Sequence, residues 1–326
     1  MRQTLLILFA FVLSSMGAWA ADGATFKASV PNDDSTVDMT FKIISEDAKT
    51  CQVGDGLKWC LPTVVYGGMD EYYYDEYSTT TGTVTIPATV TYNDAEYSVV
   101  AIGDFAFDGW RTNPYDRDNT LSGLILPEGL QTIGQSFDYC LGITALTIPS
   151  TVTSIDEKAF DEMEKLNTLS VADGNSVYDS REGCNAIIET ATNTLVHGGN
   201  SSVIPASVTK IGNYAFQCRN IRNINLKNVT SIGEYAFFRC HHLDRVVIPD
   251  AVTEIKPYAF SGCYSLKSVY LPTTVTTIGE SAFAESGMKD YFCFRSLVIP
   301  NSVTIIGEYN QEIKGETNVE IIPVIA

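Results

Sequence analysis

Apolar positions recur along this chain as one fixed unit. A Val/Leu-x-x-Ile step, usually followed by glycine, leads within five residues to a phenylalanine, and this happens seven times. Val208-Thr-Lys-Ile211-Gly-Asn-Tyr-Ala-Phe216 is one copy; the stretches from Val252 to Phe260 and from Val275 to Phe283 are others. Superposed, the best copies read F-x2-C-x2-L-x2-V-x-I-P-x2-V-x2-I-G-x3-A-F. The period is 23 residues from Phe137 to Phe160, from Phe237 to Phe260 and from Phe260 to Phe283. Phe216 to Phe237 spans 21, with one residue lost between Phe216 and Ile221 and the proline missing after Leu226. Proline stands six residues before isoleucine in Pro127/Ile133, Pro149/Ile155, Pro205/Ile211, Pro249/Ile255, Pro272/Ile278 and Pro300/Ile306. A period in the twenties marks a solenoid, because each unit is too small to bury its apolar face alone. Phe137, Phe160, Phe216, Phe237, Phe260 and Phe283 are then the repeat core.

Within each copy, the L-x2-V-x-I half (Leu266, Val269, Leu271) predicts a short strand that stops at proline, where a missing ladder donor is tolerated. The V-x2-I half (Val275, Ile278) predicts a second extended piece. Gly-x3-Ala-Phe reads as a tight turn or one helical turn that plugs phenylalanine into the interior, with the glycine as a turn requirement. Stacked copies form parallel sheets, so the chain is mostly β with short helical turns. Before the repeats, Val37 to Ile43 and Thr83 to Ile86 alternate at period two and predict strands. Residues 21–80 are therefore expected to form an N-terminal β cap over the first coil's open edge, with the solenoid over 81–308. Three insertions break the register, at 108–119, 284–294 and 172–203. The last holds two strand-like runs, from Asn185 and from Asn193, and predicts a hairpin. Insertions of this kind map to one face of a solenoid, often the binding face. From Gln311, where phenylalanine belongs, twelve residues lead to Pro323. Residues 309–326 thus read as a C-terminal capping coil with a polar residue at the key interior slot.

Residues 1–20 stand apart. Arg2, the apolar run from Leu5 to Leu13 and the small-x-small Ala18-Trp19-Ala20 read as a secretory signal peptide. They predict an exported protein, extracellular or at the cell surface, with the periplasm as an alternative. No later stretch is apolar enough to span a bilayer as a helix, so the mature chain is expected to lack a transmembrane span. The formal charge is −18, one unit more negative once Arg2 is removed; such a surface repels phosphate backbones and argues against nucleic acid. Export permits disulfides among the eight cysteines. Cys140, Cys240 and Cys263 sit three residues after the repeat phenylalanine. Cys218 reads as their counterpart in the shortened copy, and Met163 takes the slot in another. The slot reads as small or soft and apolar, filled by buried free thiols, although bridges between neighbouring coils are geometrically allowed. Cys51 and Cys60 flank the turn-rich Val53-Gly54-Asp55-Gly56 and are expected to form a local disulfide. Cys184 and Cys293 lie in insertions and stay unassigned.

Catalytic chemistry finds little support. There is no G-x-S-x-G elbow, P-loop or dinucleotide fingerprint. Cys240, His241 and His242 could be drawn as zinc ligands, yet Cys240 is explained by the repeat. His197 has no spaced partner. Paired carboxylates for glycoside hydrolysis cannot be picked out among 39 acidic residues. No catalytic residue, metal or cofactor is expected. The binding candidates are Tyr72, Tyr73 and Tyr74, within the acidic run from Met69 to Tyr77, and Trp110 and Tyr115 in the first insertion. For the tyrosine run the readings are a solvated loop or edge strand packed on the cap, a recognition loop, or a calcium site without a ligand-spacing signature. For Trp110 and Tyr115 they are local packing or ligand stacking.

The pattern L-x2-V-x-I-P-x2-V-x2-I-G-x3-A-F-x2-C resembles the BspA-like leucine-rich repeat family of exported bacterial surface proteins, and the segment from Gly174 to Gly198 looks like a hairpin inserted in such proteins from Bacteroides-type bacteria. The resemblance covers roughly residues 81 to 308. It implies a right-handed leucine-rich-repeat solenoid and a non-enzymatic binding protein. The implied partners are host extracellular-matrix proteins, surface glycans or other bacterial surface proteins, bound by a monomer in cell-surface adhesion. A structural component of a bacterial surface assembly is the alternative. In departure from many relatives, no obvious C-terminal sorting domain or wall anchor is expected.

Overall fold

The computed structural model describes residues 22–33, 35–54, 82–107, 121–137, 140–287 and 296–308. Two parallel ladders run through the repeats. One joins Ala145–Ile148 to Thr168–Val171 and, further on, Arg245–Val247 to Ser268–Tyr270 and Ser296–Val298. Its alternation is clean: Val246 and Val269 are buried while Arg245, Val247 and Tyr270 face solvent, the period-two outcome of the V-x-I pattern. The other ladder is made of two-residue strands at the repeat isoleucine. Ile211 pairs with Ile232, Ile255 with Ile278 and Ile278 with Ile306.

Between the ladders each coil turns at its proline. The carbonyls of Pro149, Pro205, Pro249, Pro272 and Pro300 accept the N–H of the valine three residues later, at 3.0–3.3 Å, closing a β-turn. Leu226 does the same for Val229 at 2.8 Å in the copy that lacks proline. The glycine after isoleucine has a different role from the one expected. It is not left-handed in these coils; its N–H donates across to the preceding coil, as from Gly279 to the Ile255 carbonyl at 2.8 Å. A Cβ at Gly279 would lie 2.6 Å from the Pro257 nitrogen and 2.8 Å from the Lys256 carbonyl carbon. Close contact between two backbones, and not a turn dihedral, excludes the side chain there.

The stretch around phenylalanine is also not a helical turn. Tyr235 and Arg239 have φ of 55° and 54°, and Tyr258 and Gly262 have 56° and 70°. Left-handed residues on both sides of phenylalanine stop a right-handed helix from propagating. Alternate N–H groups instead reach the next coil: Tyr235, Phe237 and Arg239 donate to the carbonyls of Pro257, Ala259 and Ser261. Among the described residues the one helical segment is the 3-10 stretch Arg181–Gly183. The phenylalanines stack as expected, with centroids 5.1–5.6 Å apart from Phe107 through Phe160 and from Phe216 through Phe283.

The slot three residues after phenylalanine proves to be a hydrogen-bond donor position. Cys240 Sγ donates to the Phe216 carbonyl (3.0 Å), Cys263 Sγ to that of Phe237 (3.2 Å) and Ser286 Oγ to that of Phe260 (2.6 Å). In the shortened copy the slot belongs to Arg219, not to Cys218. The Cys218 N–H donates to the Phe238 carbonyl just as Arg239 donates to Ser261, and its φ is 56°. Cys218 therefore sits one position earlier, and the missing residue falls after Arg219. Cys140, Cys218, Cys240 and Cys263 are buried free thiols, as is Cys184. Cys51 is likewise a free thiol in the core, pushed up to about 12 by burial; Cys60, its expected partner, lies outside the described residues.

The strands Thr25–Asn32, Ser35–Ser45 and Thr50–Val53 form an antiparallel unit. Its last strand lies parallel against Ala95–Ile102, so Val53, Ile102, Ile133 and Ile155 make one continuous row. At the largest insertion, Ala186–Glu189 and Thr194–Gly198 form a hairpin whose second strand pairs with Lys210–Ile211, Leu195 opposite Ile211. The hairpin thereby replaces one coil of the isoleucine ladder. Gly198 takes the phenylalanine's place, donating to the Ala215 carbonyl, and a Cβ there would overlap the Phe216 ring. His197 packs edge-on against Phe160 at 4.9 Å. Burial first, and then the Arg219 guanidinium, hold its imidazole neutral, with a pKa lowered to about 3. The apolar interior divides here: Ile187 belongs to the N-terminal core and Ile188 to the C-terminal one.

Candidate interaction surface

Tyr72, Tyr73, Tyr74, Trp110 and Tyr115 lie outside the described residues, so the surface is built from the repeats themselves. The longer ladder presents two outward positions per coil. In the N-terminal part these hold Ala145 and Thr147, then Thr168 and Ser170, which are small and neutral; Thr147 Oγ1 and Ser170 Oγ are 3.0 Å apart. Three coils on, the character changes. Val247 is 46% and Tyr270 56% exposed, and the two are paired opposite each other on adjacent strands. Arg245, two residues before Val247 on the same strand, is exposed, as are Arg222 and Lys267 where the chain leads into the ladder.

Asp244 is held between two of these cations, 3.4 Å from Arg222 Nε and 3.1 Å from Lys267 Nζ. The backbone sets this spacing, since the Asp244 N–H donates to the Arg222 carbonyl and the Lys267 N–H to the Asp244 carbonyl. Exposed ion pairs of this kind add little stability. What they fix is a row of charges across successive strands. Arg222, Asp244, Arg245 and Lys267 thus put three cations and one anion along this ladder and its lead-in, in a chain of net charge −18. Two large exposed apolar groups share this ladder and its lead-in with three cations. The sequence does carry a trace of it. At the x of V-x-I, where Thr147, Ser170 and Asn225 stand elsewhere, Val247 and Tyr270 are apolar at a solvent-facing period-two position.

The other candidates fare differently. His241 stacks on Tyr264 at 4.8 Å while Cys240 Sγ is bonded to the Phe216 carbonyl, so the three neighbours do not converge. Among the described residues no three His, Cys, Asp or Glu side chains gather as a metal site, and no helix is long and apolar enough to cross a membrane.

Comparison with known proteins places this geometry. No functionally curated protein matches the chain. A leucine rich cell surface protein from Faecalibacterium prausnitzii is similar in structure, 20% identical over 88% of this chain and 97% of that one, with a TM-score of 0.45. A leucine-rich repeat protein from Eubacterium ventriosum is 20% identical over 70% and 75%, with a TM-score of 0.40. One from Bacteroides ovatus is 23% identical over 82% and 59%, with a TM-score of 0.38. The profile of the BspA type leucine rich repeat region matches residues 77–181 and 199–312 in six copies, and the stretch left out between them holds both strands of the hairpin. With more than half of its length matched, and with the isoleucine and phenylalanine ladders those repeats prescribe, the chain belongs to the BspA-type leucine-rich repeat family.

Proposed function

We propose that this is an exported, non-enzymatic binding protein that acts in adhesion at a cell surface and recognises an acidic partner protein through the face around Val247 and Tyr270. The leucine-rich repeat is a protein-interaction fold, and nothing in the family match indicates catalysis. The observation that carries the reading is the in-register pair Val247 and Tyr270, with Arg245 exposed on the same strand and Arg222 and Lys267 exposed at the lead-in to the ladder. Tyrosine and arginine dominate binding hot spots because they offer large contact area with a polar tip. Here every such side chain is rooted in a hydrogen-bonded ladder, so little ordering is required on binding. Matrix proteins of a host and surface proteins of other bacteria are the partner classes the family suggests.

The test is a binding panel of the chain from Ala21 onward against matrix proteins, bacterial surface proteins and glycans. Saturable protein binding that falls about tenfold in Tyr270→Ser or Arg245→Glu, each with an unchanged melting curve, is the expected result; a tenfold loss corresponds to about 1.4 kcal/mol, within the range for a hot-spot residue. Binding indifferent to both substitutions would put the site elsewhere. Saturable binding to glycans alone would overturn the protein partner.

A further inference from the structure

The residue before Ala-Phe is left-handed at Phe105, Tyr214, Tyr235, Tyr258 and Ser281. In three successive coils it is tyrosine. Tyr214 and Tyr235 stack at 4.9 Å and 6°, Tyr235 and Tyr258 at 4.6 Å and 5°. All three rings are half-buried. One end of this stack is already capped by a cation. Lys158, which holds the same repeat position before the hairpin, sets its ammonium 4.8 Å from the Tyr214 centroid. At the other end that position is Ser281, buried and too short to lie across the neighbouring ring. Among the described residues no ring or cation covers the outer face of Tyr258. Its hydroxyl donates to Glu280 Oε1 at 3.0 Å, and Glu280 is exposed. Glu234, at the same repeat position two coils earlier, is exposed as well.

We propose that this end of the stack is a docking site for a basic segment of a partner polypeptide, with a lysine or arginine seated on Tyr258 beside Glu280 as Lys158 is seated on Tyr214. An aromatic face is the negative part of the ring quadrupole and attracts a cation within about 6 Å of the centroid. The Glu280 carboxylate supplies the counter-charge at the ring's rim, and Glu234 extends the negative row along the stack for a following basic residue. A metal ion is a poorer occupant, because one hydroxyl-bound carboxylate gives too few ligands. The site does not depend on the Val247 and Tyr270 surface, which has the opposite sign.

The test uses the mature chain and a dye-labelled Gly-Ser peptide carrying three lysines, with a matched peptide carrying three glutamines, read by fluorescence anisotropy near physiological salt. Because the whole chain is acidic it attracts any basic peptide over long range, so charge-neutral changes decide. Tyr258→Leu leaves the charge unaltered and is expected to weaken lysine-peptide binding roughly fivefold. Ser281→Lys places the chain's own ammonium over Tyr258 and is expected to weaken it at least as much. Thr273→Lys adds the same charge at another exposed position of that coil and should leave binding near wild type. Tyr270→Ser and Arg245→Glu should also have no effect, which separates this site from the adhesion surface. Ser281→Lys keeps the three rings intact, so it remains informative if Tyr258→Leu melts early. Equal binding of the glutamine peptide, or equal loss in Ser281→Lys and Thr273→Lys, would overturn the proposal.

Discussion

At the scale of single residues, the slot after phenylalanine shows what its cysteines are for. Cys240, Cys263 and Ser286 each give a hydrogen bond to the phenylalanine carbonyl of the coil before. Burial drives the Cys263 thiol well above the ordinary thiol range, so it stays protonated as a donor and is a poor nucleophile. Cys263→Ser keeps the donor and should be the milder change; Cys263→Ala removes it and should cost about 1 kcal/mol more in denaturant unfolding. Phe260 stacks on both neighbours, at 5.1 and 5.5 Å, and Phe260→Ala should cost about 3–5 kcal/mol. His197 makes stability depend on pH. Unfolded, it takes up a proton near 6.5; folded, only near 3. Between those values the unfolded chain binds the extra proton, so stability is full above about 6.5 and falls as pH drops. The loss at pH 5.5 should be about 1.4 kcal/mol, and a His197→Gln melting series over pH 7 to 5.5 should lack that slope.

At the scale of the coil, the repeat phase could be read in advance because leucine, valine, isoleucine, proline and phenylalanine keep one spacing. The conformation of the turn could not. Its left-handed positions are filled by Tyr235, Arg239, Glu162, Cys218 and Ser281, residue types with no common local signal, and they are held by hydrogen bonds to the next coil. Arg219 was missed for a related reason. A deletion placed one residue too early assigns its slot to Cys218, and spacing alone does not resolve that choice. The proposed binding residues Val247 and Tyr270 were legible only as apolar exceptions at an outward position. The glycine of Ile-Gly gives the sharpest test of coil packing. Gly279→Ala forces the backbone at Lys256 and Pro257 away and should cost about 1–3 kcal/mol, seen as a lower urea midpoint with an unchanged slope.

At the scale of the molecule, two cores meet where the hairpin stands in for a coil. Arg219 closes that junction. It is fully buried, and its guanidinium donates to the carbonyls of Gly198, Met163, Gln217 and Phe160 at 2.8–3.2 Å. Three coil-like layers are thus tied by one side chain. Arg219→Leu should leave buried carbonyls unpaired at about 1–3 kcal/mol each. In a stack where each unit touches only its neighbours, weakening one interface uncouples the two sides. A single unfolding transition should therefore split into two, followed by calorimetry.

The donor slot also bears on how such a chain can lengthen. Between Phe237 and Phe283 the cross-coil bonds of the phenylalanine, of the residue two after it and of the donor slot recur from copy to copy, so a duplicated coil would arrive with these donors and acceptors matched. At Arg219 the bonds reach four different carbonyls in three layers, and a copied unit would bring only that of Gln217 with it. Gene duplication can extend this protein on the C-terminal side of that arginine and is blocked across it.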